Sequence, residues 1–262
     1  MSDATASPAP AGPARIEFDD YSLSLNSDSV LRNVSLGIPS NAITAVFGPA
    51  GGGKSGLLRS INRMAELAGR EQHSGDIRID GVSVFAPSAD LPALRRRVGM
   101  VFAQPVPLPM SIFDNVTYGL RLQKIDDRLA LNAATQRALE QATLWDEVKD
   151  RLHSSALALS GGQQQRLSIA RVLALEPEIL LLDAPTAALD PISTHRIEDM
   201  LMQLKRSYTI VIVPHSIQQA SRIADVAAFF LGGELVEFGP RDRIFISPQD
   251  ERTENYVTGR FG

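Results

Sequence analysis

The chain has 262 residues, 44% of them hydrophobic and 21% charged, with a net charge of −4 and no cysteine. That composition suits one globular α/β unit able to bury a sizeable core. It leaves no material for disulfides or a thiolate metal centre, and an acidic chain is a poor candidate for nucleic-acid binding. No segment reaches the roughly 18 apolar residues of a membrane-spanning helix.

The first residues, MSDATASPAPAGPA (1–14), hold no Lys or Arg and no apolar run. They lack the parts of a signal peptide and are expected to form a disordered tail. From Arg15, RIEFDDYSLSL alternates like a strand, with a slip at Asp19 and Asp20, and SVLRNVSLGIP continues as a second strand. AITAVFG is a short apolar run ending in glycine, as expected for a strand buried on both faces. KSGLLRSINRMAEL places Leu57, Leu58, Ile61, Met64 and Ala65 on one helical stripe, and GDIRIDG reads as a strand and turn. Residues 104–176 are helix-rich: SIFDNVTYGLRLQ, RLALNAATQRALEQATL and GQQQRLSIARVLAL. Strand patterns return in EILLLDA, YTIVIVPH and VAAFFLGGELVEFG. Strands interrupted by a helical block predict a parallel-sheet core carrying a helical insertion.

GPAGGGKS fits G-x-x-x-x-G-K-[ST] and lies between a buried strand and an amphipathic helix, the context this motif needs. Gly48, Pro49, Ala50, Gly51, Gly52 and Gly53 can turn backbone N–H groups inward as an anion nest. Lys54 adds a point charge at a helix N-terminus, and the Ser55 hydroxyl suits Mg²⁺. Gly56 follows. Asp183 ends the apolar run 179–182, at the carboxyl end of a strand where such sheets bind nucleotides. It is the expected metal partner of Ser55. The alternative for Asp183 alone is an ordinary helix-capping aspartate.

LSGGQQQRLSIARVLA (159–174) resembles the signature of the ATP-binding cassette (ABC) ATPases. The order P-loop, LSGGQ, LLLD, ALD, VPH is also that superfamily's order, and the resemblance covers nearly all of 15–262. It implies a P-loop NTPase (RecA-like) α/β core at 15–103 and 177–262, with an N-terminal antiparallel β subdomain and an α-helical insertion at 104–176. It implies ATP and Mg²⁺ as cofactors. The signature residues Ser160, Gly161, Gly162 and Gln163, with the D-loop Asp190, would act on ATP held by a second chain. His215 would be the switch histidine. LLRSINRM, RRRVGMVF, PVPLPMSIFDNV, LWDEVKDRL and YVTGRFG are similar to the ATPase subunit of bacterial phosphate importers. By that resemblance the run from Pro105 to Ile112 meets membrane-spanning permease subunits. The protein would then lie on the cytoplasmic side of the plasma membrane, in indirect contact with a phosphate-binding protein.

Several positions depart from the family pattern. Ala184 stands where the catalytic glutamate is expected. Ala103 stands for a glutamine that links metal and water to the insertion, with Gln104 one place later and turned to the other side. Leu25 stands for the aromatic that stacks on adenine, with Tyr21 four residues away. Gly56 replaces a hydroxyl residue, and Pro214 precedes the histidine. Scattered departures favour natural divergence over one engineered change. Three readings follow: a phosphate-transport ATPase with doubtful turnover, a non-hydrolysing subunit beside a competent paralogue, or a soluble ABC protein. The single cassette, the acidic charge and PVPLPMSI count against the third. A homodimer and a heterodimer both remain open.

Overall fold

The computed structural model describes residues 14–260. The expected disordered tail lies outside them except for Ala14, which opens the first strand; Phe261 and Gly262 also lie outside.

Two sheets form. β1 (Ala14–Leu25), β2 (Asp28–Pro39), β4 (Glu71–Ile79) and β5 (Val82–Ser83) make an antiparallel sheet in the order β2-β1-β4-β5. The slip at Asp19 and Asp20 is a β-bulge: pairing with β4 jumps between Asp19 and Ser22, and Asp20 takes φ 45°. Gly75 (φ 77°) faces it, where a Cβ would lie 2.4 Å from the Asp20 carbonyl oxygen.

β3 (Ile43–Phe47), β6 (Val98–Val101), β7 (Ile179–Asp183), β8 (Thr209–Val213), β9 (Val226–Leu231) and β10 (Glu234–Pro240) form the second sheet, in the order β10-β9-β3-β8-β7-β6. It is parallel except for β10. Side chains of a strand point alternately to its two faces. Leu180, Leu182, Ile210 and Ile212 therefore join a core shared with α3 (Ile112–Leu122), α4 (Arg128–Gln141), α6 (Gly161–Leu173) and α7 (Pro191–Leu204). Ile179, Leu181, Val211 and Val213 point the other way, onto α1 (Lys54–Ile61) and the antiparallel sheet. Burial on both faces explains why these strands read as unbroken apolar runs.

The long helix expected from Lys54 through Ala65 stops at Ile61. Arg63 takes φ 56°, and a 3₁₀ turn follows at Ala65–Leu67. The reason is tertiary. Arg95, in α2 (Leu91–Arg97), donates to the carbonyl oxygens of Asn62 (3.3 Å) and Arg63 (2.9 Å) and so satisfies the freed helix end. Also absent from the sequence pattern are α2, β6, α7, α8 (Ile217–Ile223), α9 (Arg241–Ile246) and α10 (Glu251–Val257). α5 (Trp145–Val148) is a single turn between α4 and α6.

Candidate functional site

The loop from Gly48 to Gly53 leaves β3 at its carboxyl edge and feeds α1, as the motif predicted. It is closely walled. A Cβ on Gly48 would lie 2.0 Å from the Phe230 carbonyl oxygen, and one on Gly53 2.5 Å from that of Val30. Both glycines have positive φ (143° and 88°), so a side chain is barred by strain as well as space. Pro49, Ala50, Gly51 and Gly52 complete the turn, and Gly52 N–H donates to the Pro49 oxygen. Lys54 folds back over the loop, its Nζ donating to the carbonyl oxygens of Gly48 (2.9 Å) and Pro49 (2.6 Å). Burial lowers its pKa, and Asp183 opposes that shift.

Ser55 Oγ donates to Asp183 Oδ1 at 2.8 Å, across 128 residues of sequence. The two expected metal partners are thus neighbours at the carboxyl ends of β3 and β7. Arg59, which no motif singled out, brings Nη2 to 3.6 Å from Asp183 Oδ2.

Ala184 follows directly and has no side-chain donor or acceptor. It takes φ 49°, and its N–H donates to the Val213 oxygen at 2.9 Å. That bond ties the end of β7 to the strand that delivers His215. The imidazole Nδ1 lies 3.0 Å from Thr186 Oγ1 and 3.0 Å from Gln219 Oε1. Gln219 Oε1 also accepts from the His215 backbone N–H (3.1 Å) and from Thr186 Oγ1 (3.1 Å), so the Nδ1 contact is a donation from the ring. These contacts place a proton on Nδ1. Behind it Gln219 Nε2 donates to Glu198 Oε1 (3.1 Å), and Arg222 grips the same carboxylate (2.6 and 3.0 Å). Thr186, Gln219 and Glu198 are buried. Sequence reading missed this relay because it joins α7 and α8, neither of which was recognised as a helix.

Leu25 closes β1, half-buried against the core formed with the antiparallel sheet. The alternative aromatic, Tyr21, faces inward. Its hydroxyl donates to Ser60 (3.1 Å), burial raises its pKa, and its ring stacks on Phe85 at 5.9 Å. It offers no free face. Gly56 touches Val30: a Cβ there would lie 2.6 Å from Val30 Cγ1.

Ser160 caps α6, with its side chain and that of Gln163 forming a reciprocal capping box, and Gly161 and Gly162 make the first turn. Asp190 caps α7 through its carboxylate, which accepts from the Ser193 backbone N–H (2.9 Å) and hydroxyl (2.7 Å). Among the described residues, no hydrogen bond or ion pair joins 160–163 or Asp190 to the 48–55 loop. Ala103 and Gln104 lie just beyond β6; the Gln104 side chain is exposed. This segment is tied to α6 instead, through Gln165 Nε2 to the Phe102 oxygen (2.9 Å) and Arg171 to the Val106 oxygen (3.1 Å).

A family model described as ABC transporter matches residues 31–187. The "Phosphate import ATP-binding protein PstB 2" of Aliivibrio fischeri is 53% identical over 247 residues, 94% of this chain and 91% of that protein. Among solved structures, cbiO1 from Clostridium perfringens, described as part of the ABC transporter complex cbiONQ, superposes with a TM-score of 0.79 at 24% identity, covering 95% of this chain and 97% of that one. A bacterial Atm1-family ABC exporter with ATP bound gives the same TM-score and identity, covering 100% of this chain and 44% of that chain. These two likenesses speak to the fold.

Proposed function

The chain belongs to the ABC transporter family, and from that premise we propose that it is the ATP-binding subunit of an importer for inorganic phosphate. The phosphate assignment rests on the 53% identity to a phosphate import ATP-binding protein. The ATP assignment rests on one observation above all, the Ser55–Asp183 pair beneath a loop whose Gly48 and Gly53 leave no room for a Cβ. We assign 15–103 and 177–262 to the nucleotide-binding core and 104–176 to the insertion.

The residues fit Mg²⁺. A hydroxyl and a carboxylate converge at 2.8 Å. Among the described residues no group of three or more His, Cys, Asp or Glu could hold a metal. Phosphate oxygens and waters would complete the shell, as a small hard cation prefers. Bound there, Mg²⁺ would neutralise charge on the β- and γ-phosphate oxygens. With nucleotide bound, Lys54 would exchange the Gly48 and Pro49 oxygens for the phosphates. Loop N–H groups and the α1 N-terminus hold the anion. His215, kept in one orientation by Gln219, would meet the γ-phosphate. Ala184 has no group to take a proton from the attacking water. A positioned base contributes about 10²–10⁴ in rate, so turnover by this chain's own site is slow.

Exposed Val106 and Met110 lie in the 105–112 run, next to Tyr118 and Leu122 on α3. Together with Asp114 and Arg121, the last three line an open hollow of about 430 Å³. This is the surface we assign to the permease subunits. Among the described residues no helix is long and apolar enough to cross a membrane; attachment to the cytoplasmic face of the plasma membrane would run through those subunits.

Ala184 also favours a second reading, a static ATP-binding subunit beside a competent paralogue. Equilibrium binding and steady-state phosphate release separate the two. Lys54→Ala should abolish Mg-ATP binding; a mutant binding like the parent removes the ATP assignment. Ala184→Glu should raise turnover at least about tenfold, within the span of a general base. Equal rates for parent and revertant would mean that water is activated by another group.

A further inference from the structure

Glu147, in the LWDEVKDRL stretch, was given no role by the sequence and lies on the single turn α5, yet its carboxylate accepts four hydrogen bonds from two other helices. Arg166 Nη1 and Arg196 Nη1 each reach Oε1 at 2.8 Å. Arg166 Nη2 reaches Oε2 at 3.1 Å, and Gln163 Nε2 reaches it at 2.8 Å. Arg166 is buried on α6, and Arg196 lies half-exposed on α7. Burial pushes the Glu147 pKa up, but Arg166, Gln163 and Arg196 outweigh it and hold the carboxyl below its usual range.

The contact with Gln163 has a geometric consequence. Because Gln163 Nε2 donates to Glu147, its Oε1 is left to accept the Ser160 backbone N–H, which it does at 3.0 Å. Glu147 therefore sets which way the Gln163 amide faces, and that amide closes the capping box at the start of α6. The starts of α6 and α7 also touch directly. A Cβ on Gly162 would lie 2.3 Å from Ser193 Oγ, and Ser193 donates to the Asp190 carboxylate at 2.7 Å. Arg196 is three residues beyond Ser193, just under one turn further along α7.

We propose that Glu147 is a positioning residue: it clamps the start of α6 to α7, so that residues 160–163 and Asp190 are presented as one rigid surface to a nucleotide held by a second cassette. This rests on the ATP-binding reading above, and the test keeps the two apart.

Glu147→Gln is the informative change. An amide has one acceptor oxygen where the carboxylate has two. If that oxygen stays with the guanidinium groups, the new NH₂ meets Gln163 Nε2, donor against donor. Gln163 must then flip, which sets its NH₂ against the Ser160 N–H and opens the capping box. The clamp faces a partner's nucleotide and not this chain's own loop, so its loss should affect ATP-driven dimerisation and spare ATP binding by the monomer. A general loss of fold would affect both.

The experiment measures Mg-ATP affinity of the dilute full chain by equilibrium binding, dimerisation in saturating Mg-ATP by analytical ultracentrifugation, and Tm without nucleotide. Glu147→Gln should raise the dimer Kd about tenfold, the weight of one charge-assisted hydrogen bond, with monomer ATP affinity unchanged. Arg196→Ala, a surface change that cuts only the link to α7, should raise it about threefold, as an exposed ion pair warrants. A folded Glu147→Gln protein that dimerises like the parent overturns the proposal. If that variant does not fold, parent-like dimerisation by Arg196→Ala overturns it. A parent that binds ATP and stays monomeric also overturns it, while leaving the ATP-binding reading standing. A parent that binds no ATP removes that reading, and the clamp with it.

Discussion

Gly56 shows how a single departure is built into its surroundings. By helix propensity alone it weakens the start of α1 by about 1 kcal/mol relative to alanine. In the fold it makes room for Val30, whose Cγ1 would lie 2.6 Å from any Cβ there, with Leu23 Cδ2 at 3.5 Å. Restoring a hydroxyl residue is therefore not a local change. Gly56→Ser should destabilise the chain by about 1–3 kcal/mol through overpacking, and adding Val30→Ala should recover most of that loss. Denaturant midpoints for both single variants and the double variant give the coupling; additive effects would show that the two side chains do not compete. The motif and the strand-end aspartate were legible from residue types because phosphate and metal chemistry limits the choice of groups. Gln219 and Glu198 were not, because a buried amide and carboxylate acquire their role only when two helices bring them behind His215.

Among the elements, the run from Val106 to Ser111 has no regular structure of its own and borrows its shape from helices α3 and α6. Asn115, fully buried, accepts from the Leu108 N–H (2.8 Å) and donates to the Leu108 (3.1 Å) and Ser111 (2.9 Å) carbonyl oxygens. Arg171 adds a bond to the Val106 oxygen. Asn115→Ala takes the acceptor from the half-buried Leu108 N–H and should cost about 1–3 kcal/mol. It should also reduce co-purification with membrane subunits while leaving Mg-ATP affinity near the parent value. Loss of ATP binding in that variant would show that the run supports the nucleotide loop as well. α1 teaches the opposite lesson about reading periodicity. Its apolar stripe continues through Met64 and Ala65, but the helix ends at Ile61, Arg63 turns to φ 56°, and Arg95 takes the Asn62 and Arg63 carbonyl oxygens just beyond the end.

Over the whole molecule, the departures fall on one side. Leu25, Gly56, Ala103 and Ala184 belong to the half we assign to nucleotide binding. The half that would be offered to a second chain, residues 160–163 and Asp190, keeps both capped helix starts. In a mixed complex with a competent paralogue, Ser160→Arg in this chain should abolish hydrolysis at the partner's site. Lys54→Ala in this chain should reduce it less. Measuring phosphate release from the two mixed complexes decides the matter, and equal effects would return the chain to a symmetric homodimer, the commonest closed assembly.

The sequence by itself determined the family and the order of sheet and helical block, and it singled out the glycine loop and the Ser55–Asp183 pair that we assign to nucleotide and metal. Each of these rests on local chemistry: glycines where a Cβ cannot fit, an acid at the end of an apolar strand, apolar runs where a sheet is covered on both faces. Only the tertiary structure decided that α1 stops short, that Tyr21 belongs to the core, that His215 is held from behind, and that Glu147 joins three helices. Those features depend on distant carbonyls, carboxylates and guanidinium groups meeting at hydrogen-bond distance, such as Gln163 and Glu147 at 2.8 Å or Gln219 and Glu198 at 3.1 Å. No spacing along the chain encodes such a meeting, because it exists only once the sheet has fixed where each helix lies.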